Sequence, residues 1–555
     1  MTQQKTQARQ DTPRARQFFR PDGWSLLAVA ITALVMVPVL SVLWIAAHPT
    51  ENIWPHLLST VLPRYLWNTA VLGAGVGALA TAIGTGAAWL LTMYRFPGSR
   101  WLDRAMLFPL AIPAYIGAYA LVDFLDYAGP LQTALRALMG WQSARDYAFP
   151  EIRSMGFAIL VLASAYYPYV YLLARSAFRE QSGGSYEVAR ALGASPLGLF
   201  LRVGLPLARP AIAAGLALVL METLADFGAV QHFAVQTLTT GVFSTWLNSD
   251  NAGGAAQLAF VILTLILFLV LSERASRRRA LFHKPSRATR PVTPMRLTGP
   301  WAVLATLACL LPLGMGFGLP VGVMAGHALR HPSVWLAPGL GQAMLNTLVV
   351  GALAAALTVG LALLLVHALR QGPERLSRVV LPLTSLGYAA PGAVLAVGIL
   401  IPLAALDHRL ADAILAVTGT DPGLLLTGTA AAVVLAYVIR FFGVAQGAIE
   451  TAFGRISPVL PLAARALGES PTGVLRRIHL PLMRGSVWTA VLIVFVDSVK
   501  ELPATLMLRP FNFNTLATRA YDLASLEKIG QGAPAALIVG AVGLVAVWAL
   551  LHEER

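Results

Sequence analysis

Twelve long apolar runs dominate the sequence, at roughly 24–47, 66–94, 104–126, 154–174, 210–233, 256–272, 301–326, 343–369, 379–404, 424–447, 486–508 and 532–551. A helix that crosses the hydrocarbon core of a bilayer needs about 20 such residues. One water-soluble core does not absorb so many, because cores of this size split into domains. The expectation is an all-α integral membrane protein with about twelve transmembrane helices. Composition agrees: 57% of the 555 residues are hydrophobic and only 12% charged, against about 25% charged in soluble domains. Proline and glycine inside several runs fit the same reading, since neighbouring helices satisfy the freed backbone groups.

The net charge of +15 raises nucleic acid as a partner. The basic residues sit in the gaps between apolar runs, however, where membrane topology puts them, so no nucleic-acid partner is expected and the lipid bilayer takes its place. With the N-terminus in the cytoplasm, the inside segments hold 31 of the 41 Lys and Arg residues, counting Arg440 to Arg484 as one such segment. The positive-inside rule then sets a multi-pass chain with both termini cytoplasmic. The first apolar run is too long for a cleaved signal peptide and lacks a small-residue cleavage site, so it is read as an uncleaved span. The one cysteine, Cys309, excludes disulfides and cysteine-based metal sites.

The chain repeats itself. Asn68-Thr69 and Asn346-Thr347 are 278 residues apart, as are Pro113 and Pro391, and Thr237-Leu238 and Thr515-Leu516. Arg190-Ala191-Leu192-Gly193 recurs 275 residues on as Arg465-Ala466-Leu467-Gly468, and Leu205-Pro206 as Leu480-Pro481. The domains read as a tail, 1–23; a first six-helix repeat, 24–272; a basic linker, 273–300; and a second six-helix repeat, 301–555. An even number of spans per half makes the repeats parallel, with a pathway expected at their interface.

Each half also carries one short basic segment, 182–209 and 457–484. In the first, Ser185 is expected to cap a short helix, and Gly193 to stop it at positive φ. Ser195-Pro196 then starts a second helix, which Pro206 and Pro210 end. Gly468, Ser470-Pro471 and Pro481 repeat that layout. The result is a helix–turn–helix hairpin on the cytoplasmic surface, with Arg190, Arg202, Arg465 and Arg477 projecting. One copy could be a basic loop anchored to anionic headgroups. Two copies, one per half, favour docking onto a two-fold symmetric partner.

The segment resembles the conserved cytoplasmic loop of ABC importer permeases, with its Glu-Ala-Ala, a glycine four residues on, and a Leu-Pro ending. Glu187, Ala189, Gly193, Val203, Leu205 and Pro206 fit in the first copy, with Val188 for the first alanine. Ala463, Ala464, Gly468, Ile478, Leu480 and Pro481 fit in the second, where Leu462 replaces the glutamate. METLADFGAVQHFAVQTLTTGVF (221–243) and KELPATLMLRPFNFNTLATRAYDLAS (500–525) look like the fused two-repeat permeases of ferric-iron importers, and fused thiamine permeases share much of the layout. The resemblance implies a type I ABC importer permease fold. It also implies two copies of an ATP-binding subunit docked on the hairpins, ATP and Mg on those subunits and no cofactor on this chain, and a periplasmic substrate-binding protein. Glu187, Ala189, Arg190, Gly193, Leu205, Pro206, Ala464, Arg465, Gly468, Leu480 and Pro481 would form the coupling loops.

Ionisable residues inside spans are functional candidates. Glu222 and Asp226 are spaced i,i+4 in the fifth span, and Asp497 and Glu501 recur 275 residues later with Lys500 beside them. Counted from Pro210 and Gly485, Glu222 and Asp497 fall near mid-bilayer. They either line a pathway for a hard cation, which prefers oxygen ligands, or pair with Lys500 and neighbouring helices to hold a gate. His327 and His331 are spaced to share a metal only if helical, and no metal site is assigned. The chain has no phosphate-binding G-x-x-x-x-G-K-[ST] loop, so it is not expected to hydrolyse ATP by that route, and with nothing that resembles a nucleophile–base set or a metal site no enzyme activity is expected of it. The alternative from another class is an ion-coupled secondary transporter, with the four carboxylates as relay groups.

Overall fold

In the computed structural model, residues 23–49, 52–280, 293–385, 387 and 390–553 are described. The tail 1–22 and linker residues 281–292 lie outside them. Among the described residues, eleven helices are long and apolar enough to cross a membrane, or twelve if one sharply bent pair is counted as a single span. They are the first span Gly23–Ala47, second Leu62–Met93, fourth Met155–Glu180, fifth Pro196–Ala225, sixth Ala252–Ser272, seventh Pro300–Arg330, eighth Leu340–Gln371, ninth Gly392–Thr418, tenth Ala430–Gly454, eleventh Pro471–Lys500 and twelfth Ile529–Ala549. The sixth helix runs on to Ala280, into the segment expected to be linker.

Prolines set where the runs break. The expected straight third span is instead Ser99–Ala111 and Ala114–Met139, bent by 94°. Pro113 has no N–H to donate and pushes Ile112 out of the helical region, to φ −102°, ψ 119°. The expected ninth span starts late for the same reason: Glu374–Thr384 is a separate helix, and Gly392–Thr418 begins after Pro391.

Other prolines are absorbed. Pro206 and Pro210 do not end the hairpin's second helix, which continues unbroken into the fifth span. A wide turn over Phe200–Gly204, in which Leu205 N–H bonds to the Phe200 carbonyl five residues back, precedes Pro206. Gly314–Gly318 before Pro320 and Leu475–His479 before Pro481 do the same. Loosening the turn that would meet the proline ring removes the clash with the carbonyl four residues back.

The sequence repeat has a structural meaning. Asn68 Nδ2 donates to the Gln236 carbonyl at 2.9 Å, and Leu238 N–H donates to Thr69 Oγ1 at 3.1 Å. In the second half Asn346 Nδ2 donates to Asn514 O at 2.9 Å and Leu516 N–H to Thr347 Oγ1 at 2.8 Å. Each Asn-Thr pair therefore clasps the start of a helix capped reciprocally by Thr237 and Thr240, or by Thr515 and Thr518.

The halves exchange their leading spans. The first span packs on the eighth and ninth, and Ala28, Val35 and Val42 share a core with Ala354, Ala393 and Ala436. The seventh packs against the first half, placing Ala302, Ala305 and Cys309 in a core with Val76, Ala80 and Tyr167. These contacts are close. A Cβ on Gly398 of the ninth span would sit 2.2 Å from the Pro38 carbonyl oxygen of the first, and one on Gly316 of the seventh 2.2 Å from Ser164 O of the fourth. Small residues permit such backbone approach between membrane helices. A two-residue parallel ladder, β1 (Tyr94–Arg95) with β2 (Met295–Arg296), ties the chain entering the seventh span to the end of the second.

Candidate functional site

Both short basic segments form hairpins at one end of the bundle. The first helix spans Gly183–Ala191, flanked by Ser182; Ser185 lies inside it and is not its cap. The matching helix is Val459–Ala466. Gly193 and Gly468 turn at φ +82° and +89°, where a side chain on Cβ is strained. In each, the next N–H reaches back to the helix: Ala194 to Ala189 O and Glu469 to Ala464 O, both 3.0 Å. Ser195 and Ser470 then cap the following helix through Gly198 and Gly473 N–H, each at 3.1 Å. Of the expected projecting arginines, Arg477 pairs with Glu469 and Arg465 with Gln371.

Apolar residues crown both hairpins. Leu192 is 82% exposed and Leu467 86%, each just before the turning glycine. Glu187 and its replacement Leu462 are both exposed. The leucines were missed from sequence because an apolar residue in a hydrophobic chain carries no signal until its neighbours are known. The hairpin roots differ. A Cβ on Gly204 would fall 2.4 Å from Trp89 Cζ3, and Trp89 also packs on Phe178 and Phe200. The corresponding residues of the second half are His367 and His479, with ring centroids 5.8 Å apart.

The ionisable residues meet in a cavity of about 170 Å³ between the halves, lined among others by Tyr115, Glu222, Asp226, Arg440, Asp497, Lys500 and Glu501. One expectation needs correcting. Asp226 and Glu501 do not share a helix face with Glu222 and Asp497, because the helices stop at Ala225 and Lys500 and both carboxylates sit on extended backbone. Asp226 Oδ1 accepts Ala229 and Val230 N–H at 3.1 Å each, and Glu501 accepts Ala504 and Thr505 N–H at 3.0 Å each. Carboxylates at the positive ends of the short helices Gly228–His232 and Pro503–Leu508 are stabilised there, which draws the chain out of the longer helix. Glu222 and Asp497 fall in the last turn of the helices that start at Pro196 and Pro471.

Two cations share the cavity. Lys500 Nζ lies 3.5 Å from Asp497 Oδ1 and donates to the Leu110 carbonyl of the first half at 3.1 Å. Arg440 Nε lies 3.9 Å from Glu501 Oε1, and its guanidinium donates to Ala390 O at 3.3 Å. Arg440 was counted with the flanking basic segment, but it is inside the tenth span. Its sequence setting, Tyr-Val-Ile-Arg-Phe-Phe, was the available signal. Moving Arg440 and Lys500 into the bundle turns 31 against 10 into 30 against 9, which keeps the bias. Both cations belong to the second half; Ala165 and Ala225 hold the matching places in the first. The first half contributes Tyr115, Tyr166 and Tyr169 instead.

His327 and His331 do not pair. His331 leaves the helix at φ −129°, ψ 74°, and His327 Nε2 lies 2.8 Å from Asp123 Oδ2. No cluster of three or more metal-ligating side chains occurs among the described residues.

Residues 80–281 match the family described as binding-protein-dependent transport system inner membrane component. The chain is 26% identical over 94% of its length to the Fe(3+)-transport system permease protein FbpB 2 of Haemophilus influenzae, covering 96% of it. It is 24% identical to the probable ABC transporter permease protein y4fN of Sinorhizobium fredii, with 96% and 95% of the two chains aligned. The sulfate transport system permease protein CysT of Escherichia coli is 28% identical, but 91% of it aligns with only 46% of this chain. A permease of that length thus corresponds to about one half of the chain.

Proposed function

We propose that the chain is an ABC-type inner-membrane permease of a binding-protein-dependent importer and that it carries ferric iron into the cytoplasm by alternating access. A periplasmic binding protein delivers the ion to the end of the bundle away from the hairpins. Two copies of an ATP-binding subunit, which hold ATP and Mg, dock on the cytoplasmic hairpins, one on each. The N- and C-termini face the cytoplasm. The observation that carries this reading is the pair of hairpins with one geometry, each crowned by an exposed leucine beside a positive-φ glycine.

Closure of the ATP-binding subunits pulls both hairpins together. Each hairpin continues without a break into the fifth or eleventh span, whose last turn carries Glu222 or Asp497. Movement at the surface therefore reaches the cavity through a rigid helix. The Lys500–Leu110 contact between the halves must part as they rock. With Asp226 and Glu501 engaged in capping, Glu222 and Asp497 are the carboxylates left to meet a cation. Two oxygen donors opposed by two nearby cations hold a hard cation weakly, which a pathway requires.

Iron as the solute is supported by the end-to-end similarity to a permease named for it. Arg440 and Lys500, together with the similarity to a sulfate permease, favour a second reading in which the solute is an oxyanion. Proteoliposomes holding the full complex and its binding protein decide between them. ATP-dependent uptake of radiolabelled ferric iron supports the first; uptake of sulfate without iron overturns it.

A further inference from the structure

The cavity connects toward the far end of the bundle through a closed stretch with unused polar groups. Tyr115, Tyr119 and Asp123 lie at i, i+4 and i+8 on the helix Ala114–Leu125, so they form one stripe. At 1.5 Å per residue it is about 12 Å long. Tyr115 lines the central cavity, while Asp123 and His232 line a second pocket of about 730 Å³. Tyr119 stands between them, its ring centroid 5.8 Å from that of Tyr115 and 4.7 Å from that of His232.

Tyr115 and Tyr119 are 4% and 2% exposed. Their hydroxyls, and Nε2 of His232, are buried with no hydrogen-bond partner among the described residues. A buried polar atom left this way is destabilising, and these three are contiguous. The fold does not need them: the corresponding positions of the second half hold Ala393, Val397 and Met507. Unpaired polar groups between two cavities are accounted for if they pair with something in another state of the molecule.

We propose that the Tyr115–Tyr119–His232 line is the constricted outer leg of the translocation route, closed in this conformation. The route is then off-axis: the first half supplies the three polar groups of its outer leg, which pack against second-half residues such as Met324 and Leu516, and the second half supplies the cations of the central cavity. Its chemistry suits a small hydrated or oxygen-ligated solute. Hydroxyl and imidazole groups exchange hydrogen bonds with such a solute. Carboxylates stand at either end, Asp123 outside and Glu222 inside, but the line itself holds none, so a hard cation passes without being trapped. The inference rests on the importer reading but not on iron as the solute.

The test uses the complete complex in proteoliposomes, with Cys309→Ser removing the single native thiol. Tyr119→Cys should react with a membrane-impermeant methanethiosulfonate at least about tenfold faster when ATP is trapped on a hydrolysis-deficient partner than at rest. Val397→Cys should stay unreactive in both states. Tyr115→Phe and Tyr119→Phe, which each remove one oxygen and keep the ring, should cut uptake about five- to tenfold. ATPase stimulation by the binding protein should hold within about twofold, and Val397→Thr should transport normally. Full uptake by a Tyr115→Phe, Tyr119→Phe, His232→Gln triple variant, or equal labelling of the two cysteine positions, would overturn the proposal. Labelling needs no solute, so a wild-type complex that moves no ferric iron would refute the substrate reading alone and leave the route to the labelling pattern.

Discussion

Lys500 reaches across the interface between the halves and donates to the Leu110 carbonyl at 3.1 Å. That oxygen sits in the last turn before Pro113, where the proline-broken backbone leaves carbonyls unused by a helix. The contact joins a charge on the eleventh span to the bend of the third. It is a polar tie that the proposed rocking of the halves must break.

Lys500→Met should loosen that tie and leave Asp497 without its cation. The side chains are 21% and 33% exposed, so solvent screening limits the cost to about 1 kcal/mol. The expected result is a small drop in the melting temperature of the detergent-purified complex, with ATP hydrolysis raised in the absence of binding protein. An unchanged basal rate would remove Lys500 from the closed state's support.

Gly193→Val and Gly468→Val put a β-branched residue at φ +82° and +89°. No atom lies within 4 Å of a Cβ at either glycine, so the effect is conformational, about 1–2 kcal/mol against the left-handed turn. Both variants should insert and fold. Each should lower uptake per ATP hydrolysed by tenfold or more, read by assaying the two rates on one preparation.

Gly398→Val tests the exchanged spans. Its side chain would meet the Pro38 carbonyl oxygen, which lies 2.2 Å from even a bare Cβ, and backbone does not yield as a flexible side chain would. Overpacking of about 1–3 kcal/mol is expected. Melting temperature and expression should fall, whereas Gly360→Val on the eighth span, where a Cβ has open space, should change neither.

Arg440→Gln removes one of the two cavity cations. If the solute is ferric iron, uptake should persist within about threefold, because the carboxylates that face it remain. An oxyanion solute would lose at least about tenfold in uptake, since charge-assisted hydrogen bonds from arginine are the strong ones. Initial uptake rates at several solute concentrations separate the two.

Much of this architecture was legible in the sequence. Length and hydropathy gave the spans, and the Asn68-Thr69 and Asn346-Thr347 pairs marked a repeat whose physical purpose, clasping Thr237-Leu238 and Thr515-Leu516, emerged only in three dimensions. Gly193 and Gly468 announced the turns because only a residue without Cβ adopts them cheaply. What stayed hidden depended on neighbours. Hydropathy says that the first span is buried by something, but not that Pro38 meets Gly398 of the other half. Tyr115 and Tyr119 looked like ordinary span content until their hydroxyls proved to lack partners. Pro206 looked like a helix end because the wide turn that absorbs it depends on hydrogen-bond register, which spacing does not show.

The most direct test of the whole account is photocrosslinking in intact cells from a benzoylphenylalanine placed at Leu192 and, separately, at Leu467. Both leucines should capture the same cytoplasmic ATP-binding subunit, with capture changing when ATP hydrolysis is blocked. Capture of a periplasmic protein at either position, or of no ATP-binding subunit at both, would contradict it.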